Sequence, residues 1–213
     1  RVEQVGGVVY HDVTERKWAE KALDSGVHGL IAVNSRAGGH AGPLDARALL
    51  DEVGGLGLPV VCAGGVGSSR DFVDAIGLGY AGVQMGTRFI ATEECRASLP
   101  YKRAILEAEE DDIVLTERLT GVPVAVIDTP YVRRLGLRAG PIARRMLRGR
   151  RTKHLMRSLY ALRSAWTLKR TALDEAGATE YWQAGRSVAS IDEVRPAGDI
   201  VHECAEALRA ARI

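Results

Sequence analysis

The chain has 213 residues, a formal net charge of +2 and a 46% apolar fraction. That supports one sizeable core and excludes both a disordered tail and a stapled mini-protein. No apolar run approaches the roughly 20 residues of a membrane span, so no membrane partner is expected. Three cysteines, Cys62, Cys95 and Cys204, are odd in number and far apart; they fit a reducing cytoplasm and suggest no zinc site or disulfide framework. The chain opens on Arg1 and runs at once into an apolar stretch, which reads as a truncated or processed chain.

Glycine is the informative excess. Seventeen of the 24 glycines fall in the first hundred residues, so turns are concentrated there. Residues 1–95 repeat one unit: a short β-branched run, a glycine-bearing loop and an amphipathic helix. The first run is Val5-Gly-Gly-Val-Val-Tyr10, with Thr14 as a helix cap, Trp18, Ala19, Ala22 and Leu23 at helical spacing, and Gly26 at the stop. The second is Gly29-Leu-Ile-Ala-Val-Asn34, followed by Pro43 and a helix carrying Leu44, Ala48, Leu49 and Val53. Pro59-Val-Val-Cys-Ala63 is the third, before a helix capped by Ser68 or Ser69 with Phe72, Val73 and Ile76 inward. Ala81-Gly-Val-Gln-Met85 is the fourth. A spacing of about 25–30 residues is that of a βα unit. Runs apolar throughout read as parallel strands buried on both faces. Cys62 reads as core.

Residues 96–213 read as a mainly helical region. Helices are predicted over 99–110, 141–149, 153–175 and 199–212, with an extended loop over 113–132. The segment 133–170 carries thirteen Lys and Arg and no Asp or Glu. Its basic face is solvated, pairs with the acidic run 107–112, or clamps an anionic substrate tail such as a coenzyme A or carrier-protein phosphate. Nucleic acid is not expected as a partner, since aromatic residues are 5% of the chain and no reading-head motif is present.

The unusual residues each follow a strand. His11-Asp12 follows the first, Ala37-Gly-Gly-His-Ala-Gly42 the second, Ala63-Gly-Gly-Val-Gly67 the third and Gly86-Thr-Arg88 the fourth. In a parallel sheet these loops emerge on one side, where ligands bind. Gly64, Gly65 and Gly86 are either tight turns or a phosphate cradle, with Thr87 adding a hydroxyl. His40, set among glycines, is either an exposed loop residue or a group that holds an anion or moves a proton. Gly38 and Gly39 leave room for a flat ring against the backbone. His11 lines the pocket or sits on its rim.

Taken together, Gly29-Leu-Ile-Ala-Val-Asn-Ser-Arg-Ala-Gly-Gly-His-Ala-Gly42, Ala63-Gly-Gly-Val66, Gly82-Val-Gln-Met-Gly-Thr-Arg-Phe89 with Ala91-Thr-Glu93, Tyr101-Lys102 and Thr120-Gly121 resemble the nitronate monooxygenase (2-nitropropane dioxygenase) family over about residues 5–125. The resemblance implies an FMN-binding TIM (β/α)8 barrel that oxidises alkyl nitronates with O2. It implies His40 as the catalytic histidine. Gly38, Gly65, Gln84, Met85, Gly86 and Thr87 are then FMN contacts, beside the Gly39 and Gly64 of the loops read above. Many members have Gln-Gly-x-Glu before Ala-Gly-Gly-His; here those positions are Val33, Asn34, Ser35 and Arg36, an exchange of carboxylate for guanidinium that implies a changed substrate charge preference.

A barrel needs eight strands, and this chain supplies four, matching the family's last four. The fold expected is therefore α/β, half of an FMN-binding barrel over 1–95 followed by the helical region. Open apolar edges predict an N-terminal half or a second chain that completes the barrel, with a homo-oligomer as one form. Two other functions fit the same residues. One is an NAD(P)H-dependent flavin oxidoreductase of the enoyl-carrier-protein reductase type; the other is a non-catalytic fragment or binding module.

Overall fold

The structure, a computed structural model, describes residues 2–119, 121–138, 140 and 181–211. The helices predicted over 141–149 and 153–175, and most of the basic segment 133–170, lie outside the described residues.

The first half is a four-stranded parallel sheet in the order β1-β2-β3-β4. The strands are β1 (Tyr10–Val13), β2 (Gly29–Val33), β3 (Val60–Ala63) and β4 (Gly82–Gln84). Between them lie helices α1 (Arg16–Asp24), α2 (Ala46–Val53) and α3 (Ser69–Leu78). Asp45 caps α2 by accepting from the Ala48 amide at 2.8 Å. Ser68 caps α3 in a reciprocal box with Asp71, satisfying amides the helix cannot pair itself. Leu30, Leu49, Val53 and Cys62 form the core between sheet and helices, each at most 1% exposed. Burial raises the Cys62 thiol to about 11, against opposing hydrogen bonds from Asn34 and Tyr80. It is core, as its neighbours in sequence imply.

The first unit differs from its sequence reading. Glu3–Val5 form a short 3-10 turn, Gly6 turns the chain at φ +76°, and the strand begins only at Tyr10. Paired glycines stiffen a strand poorly; the register is set instead by Tyr10 opposite Gly29, with the tyrosine ring lying in the space a Gly29 side chain would take. His11 and Asp12 therefore belong to the strand, not to the loop after it. Nor are the two edge strands buried on both faces, for three of the four β1 residues are exposed and β4 has no buried residue. The helix cap is Glu15 rather than Thr14.

The second half is more mixed than predicted. Helix α4 (Thr87–Ile90) is followed by α5 (Leu99–Glu107), where a helix is expected. The supposed loop at 113–132 holds an antiparallel pair, β5 (Ile113–Thr116) with β6 (Val124–Ile127), and then α6 (Pro130–Leu135). The last helix, α7 (Ala197–Ala211), packs on α3. Among the described residues no helix is long and apolar enough to cross a membrane.

Candidate active site

One cleft of about 530 Å³ opens at the carboxyl ends of the strands, within the ~300–1,000 Å³ usual for cofactor and small-molecule sites. Every strand of the parallel sheet contributes at or just beyond its end. Asp12 and Thr14 come from the first, Val33 and Arg36 to His40 from the second, Ala63, Gly64 and Val66 from the third, and Gln84, Gly86 and Thr87 from the fourth. Convergence of sequence-distant loops follows from parallel strands all pointing one way.

The loop after β2 is held by its own backbone and by both neighbouring regions. Asn34 is fully buried. Its Oδ1 accepts from the Arg36 amide at 2.8 Å and its Nδ2 donates to the Gly64 carbonyl at 2.9 Å, which fastens this loop to the one after β3. On the other side the Ala125 amide of β6 donates to the Gly39 carbonyl at 2.7 Å. His40 thus stands exposed on a fixed loop, and its imidazole has no hydrogen-bond partner among the described residues. Such a group is free to act on a ligand.

Of the residues singled out in the sequence, His40, Gly38, Gly39, Gly64, Gln84, Gly86 and Thr87 line the cleft, and Gly65 and Met85 do not. Gly65 (φ +79°) lies behind Arg36, whose Nε would stand 2.8 Å from a Cβ placed there. Met85 packs against the core of the sheet. His11 is exposed on β1 and does not line the cleft; its neighbour Asp12 does, as alternation along a strand requires. Beside Gly38 the free space is taken by Gly185, whose amide nitrogen would be 2.9 Å from a Cβ on Gly38. Beside Gly86 the space is open, with nothing within 4 Å of a Cβ.

Sequence reasoning missed the far wall. Ile90, Tyr101, Gln183 and Ser187 also line the cleft. Tyr101 stacks on Trp182 with ring centroids 4.8 Å apart, and its hydroxyl donates to the Gln183 carbonyl. Burial pushes that phenol up to about 12, so it stays a neutral donor. Residues 181–187 run back across the site: the Ile127 amide donates to the Trp182 carbonyl at 3.0 Å, and the Gly185 amide donates to Thr87 Oγ1 at 3.0 Å. The paired small residues Ala184-Gly185, facing Gly38, were the only signal available. Among the described residues no group of three or more His, Cys, Asp or Glu is placed to hold a metal.

A family model described as nitronate monooxygenase matches residues 1–206. The chain belongs to the nitronate monooxygenase family. Over 139 residues, 63% of this chain and 39% of the relative, this family member is 37% identical to a (3aS,4S,5R,7aS)-5-hydroxy-7a-methyl-1-oxo-octahydro-1H-indene-4-carboxyl-CoA dehydrogenase of Mycobacterium tuberculosis. It is also 37% identical, over 123 residues, to a protein named probable nitronate monooxygenase from Staphylococcus saprophyticus, covering 52% of this chain and 35% of that protein. The structure of FabK from Thermotoga maritima superimposes with a TM-score of 0.77 at 26% identity, over 99% of this chain and 64% of that one. The family member thus spans well under half the length of these curated relatives.

Proposed function

We propose that the chain carries the cofactor-phosphate and histidine half of an FMN-dependent oxidoreductase that oxidises alkyl nitronates with O2. One observation carries the reading: His40, the open backbone at Gly86 and the Thr87 hydroxyl line a single cleft at the carboxyl ends of parallel strands. The cleft suits a phosphorylated flavin. No Cβ obstructs Gly86, and among the described residues no acceptor takes the amide protons of Gly86 and Thr87. Gly64, Gly86 and Thr87 would hold the phosphate end, with Gln84 beside them, and Gly38 and Gly39 the approach to His40. Gly65 and Met85 act from behind, as backbone support of that end. The bound flavin supplies the electron-accepting chemistry.

His40 holds the anionic nitro group of the substrate, or moves a proton, at the rim of the cleft. Tyr101, kept as a phenol, presents a neutral edge to the same space. Strands from outside residues 1–213, in an N-terminal segment or a second chain, complete a (β/α)8 barrel against the exposed β1 edge, where Tyr10, Val5 and Val8 of the segment leading into the strand, and Trp18 of α1 are uncovered. A cytoplasmic setting fits three free thiols.

A second reading has its own support. The 37% identity to a carboxyl-CoA dehydrogenase, together with Arg36 on the cleft wall, favours a flavin enzyme acting on an anionic thioester with a nicotinamide partner. Anaerobic mixing separates the two. Flavin bleaching on addition of propane-2-nitronate, and none with NADH or NADPH alone, supports nitronate oxidation. Bleaching by the nicotinamide alone selects the second reading, and a full-length protein without flavin absorption overturns both.

A further inference from the structure

The loop that carries His40 is closed on one residue, Asn34. Its backbone carbonyl accepts from the Ala37 amide at 3.2 Å and from the Gly42 amide at 3.2 Å, so a single oxygen holds both ends of the segment between them. Its side chain is fully buried, and both polar atoms are engaged. Oδ1 accepts from the Arg36 amide at 2.8 Å, while Nδ2 donates to the Gly64 carbonyl at 2.9 Å and to Cys62 Sγ at 3.6 Å. With an N–H on one side and a carbonyl on the other, the amide has only one workable orientation.

The two loops joined in this way lie against each other. A Cβ on Gly64 would stand 2.5 Å from the Ala37 nitrogen and 2.5 Å from Asn34 Oδ1. Asn34 does not line the cleft itself, whereas Gly38, Gly39 and His40 on one loop and Gly64 on the other do. Leaving the buried Nδ2 without its acceptor is costly, so the bond between the loops resists stretching. Asn34 stands where many family members have glycine, which has no side chain to make this bond.

We propose that Asn34 is a positioning residue for His40: by bonding Gly64 it fixes the histidine loop against the loop after β3, and so sets where the imidazole stands in the cleft. The inference rests on the flavin reading above and deepens it. Asn34 touches no ligand and acts through two loops that do. Its effect falls on turnover, because a misplacement of about 1 Å at a reacting group costs on the order of 10²-fold.

The test uses the full-length protein and two variants. Asn34→Asp keeps the shape and the acceptor for the Arg36 amide but sets an oxygen against the Gly64 carbonyl, which breaks the bond between the loops. Asn34→Gly removes the whole side chain and serves if Asn34→Asp does not fold. In flavin-free protein, the NMR resonances of the His40 ring are expected to shift in both variants. In flavin-loaded protein, kcat and kcat/KM are expected to fall together by ~10-fold or more, with KM held. The rates are read with whichever of propane-2-nitronate and NADH reduces the wild-type flavin. Unmoved His40 resonances, or a loss confined to KM or to the unfolding temperature, overturn the positioning role while the flavin reading stands. Wild-type protein that binds no flavin, or whose flavin neither reagent reduces, removes both.

Discussion

The two walls of the cleft are built by different physics. The wall made by the parallel sheet rests on side chains: Leu30, Leu49 and Val53 have no exposed surface, and the loops are held because the strands beneath them are packed. The wall made by residues 181–187 adds backbone contacts to the packing of Trp182 and Ala184. It pairs with β6, bonds Thr87, and crosses the loop after β2 where Gly38 meets Gly185 and the loop after β3 where Gly67 meets Ser187. One wall fails when atoms are taken away. The other fails when atoms are added.

The largest expected effect comes from removing atoms on the sheet side. Leu49→Ala leaves a cavity under α2 and is expected to cost about 2–5 kcal/mol of folding stability, measured by denaturant unfolding. A loss below about 1 kcal/mol would mean that the sheet wall is not packing-limited. Next comes His40→Ala, on the loop both walls grip. It is expected to lower turnover by about 10²-fold or more with flavin retained, and an unchanged rate would assign the imidazole no chemical part. Gly185→Ala adds a single methyl to the other wall. Its Cβ would meet the Gly38 nitrogen at 2.6 Å and the Arg36 carbonyl at 2.8 Å, both backbone atoms that have no rotamer to yield. The expected cost is about 1–3 kcal/mol. Gly185 has an ordinary φ of −95°, so the loss is steric alone, and a neutral Gly185→Ala would break the contrast between the walls.

The same difference explains what could be read from the sequence. β2 and β3, the inner strands, begin within a residue of where their apolar runs begin, because a strand covered on both faces writes its burial into consecutive residues; β4 does so too, although it is an edge strand without a buried residue. The first unit differs because Gly6 turns the chain inside the apolar run, which leaves the strand to the exposed residues from Tyr10 on. Residues 113–132 were read as a loop on the strength of Gly121, Pro123 and Pro130. Gly121 and Pro123 fall in the turn that joins β5 to β6, and Pro130 starts α6. Residues 181–191 carry no period at all. Their position is decided by contacts 55 to 147 residues away in sequence, with Gly38, Thr87 and Ile127, which no local pattern encodes. A glycine in such a loop marks a chain crossing as readily as a cofactor contact: Gly38 meets Gly185, and Gly67 meets the Ser187 carbonyl.

The smallest effect tests how the backbone-held wall is anchored at its far end, where Arg195 leads into α7. Glu203 of α7 accepts from Ser69 Oγ at 2.7 Å, at the start of α3, and from Arg195 Nη1 at 2.6 Å. The Ser69 hydrogen bond and then Arg195 hold its carboxyl below the ordinary range. A carboxyl lowered by folding adds stability at pH above its unfolded value, near 4.3, and that contribution fades as the pH falls through the folded value. The unfolding midpoint is therefore expected to hold from neutrality down to about pH 5 and then to decline, and Glu203→Gln is expected to remove part of that acid slope while keeping the Ser69 contact. With the Glu203 side chain 44% exposed, solvent screens the pair and the slope is shallow. Identical acid limbs in wild type and Glu203→Gln would show that α7 is held on α3 by packing alone, as the sheet wall is, and the division between the two walls would then stop at residue 191.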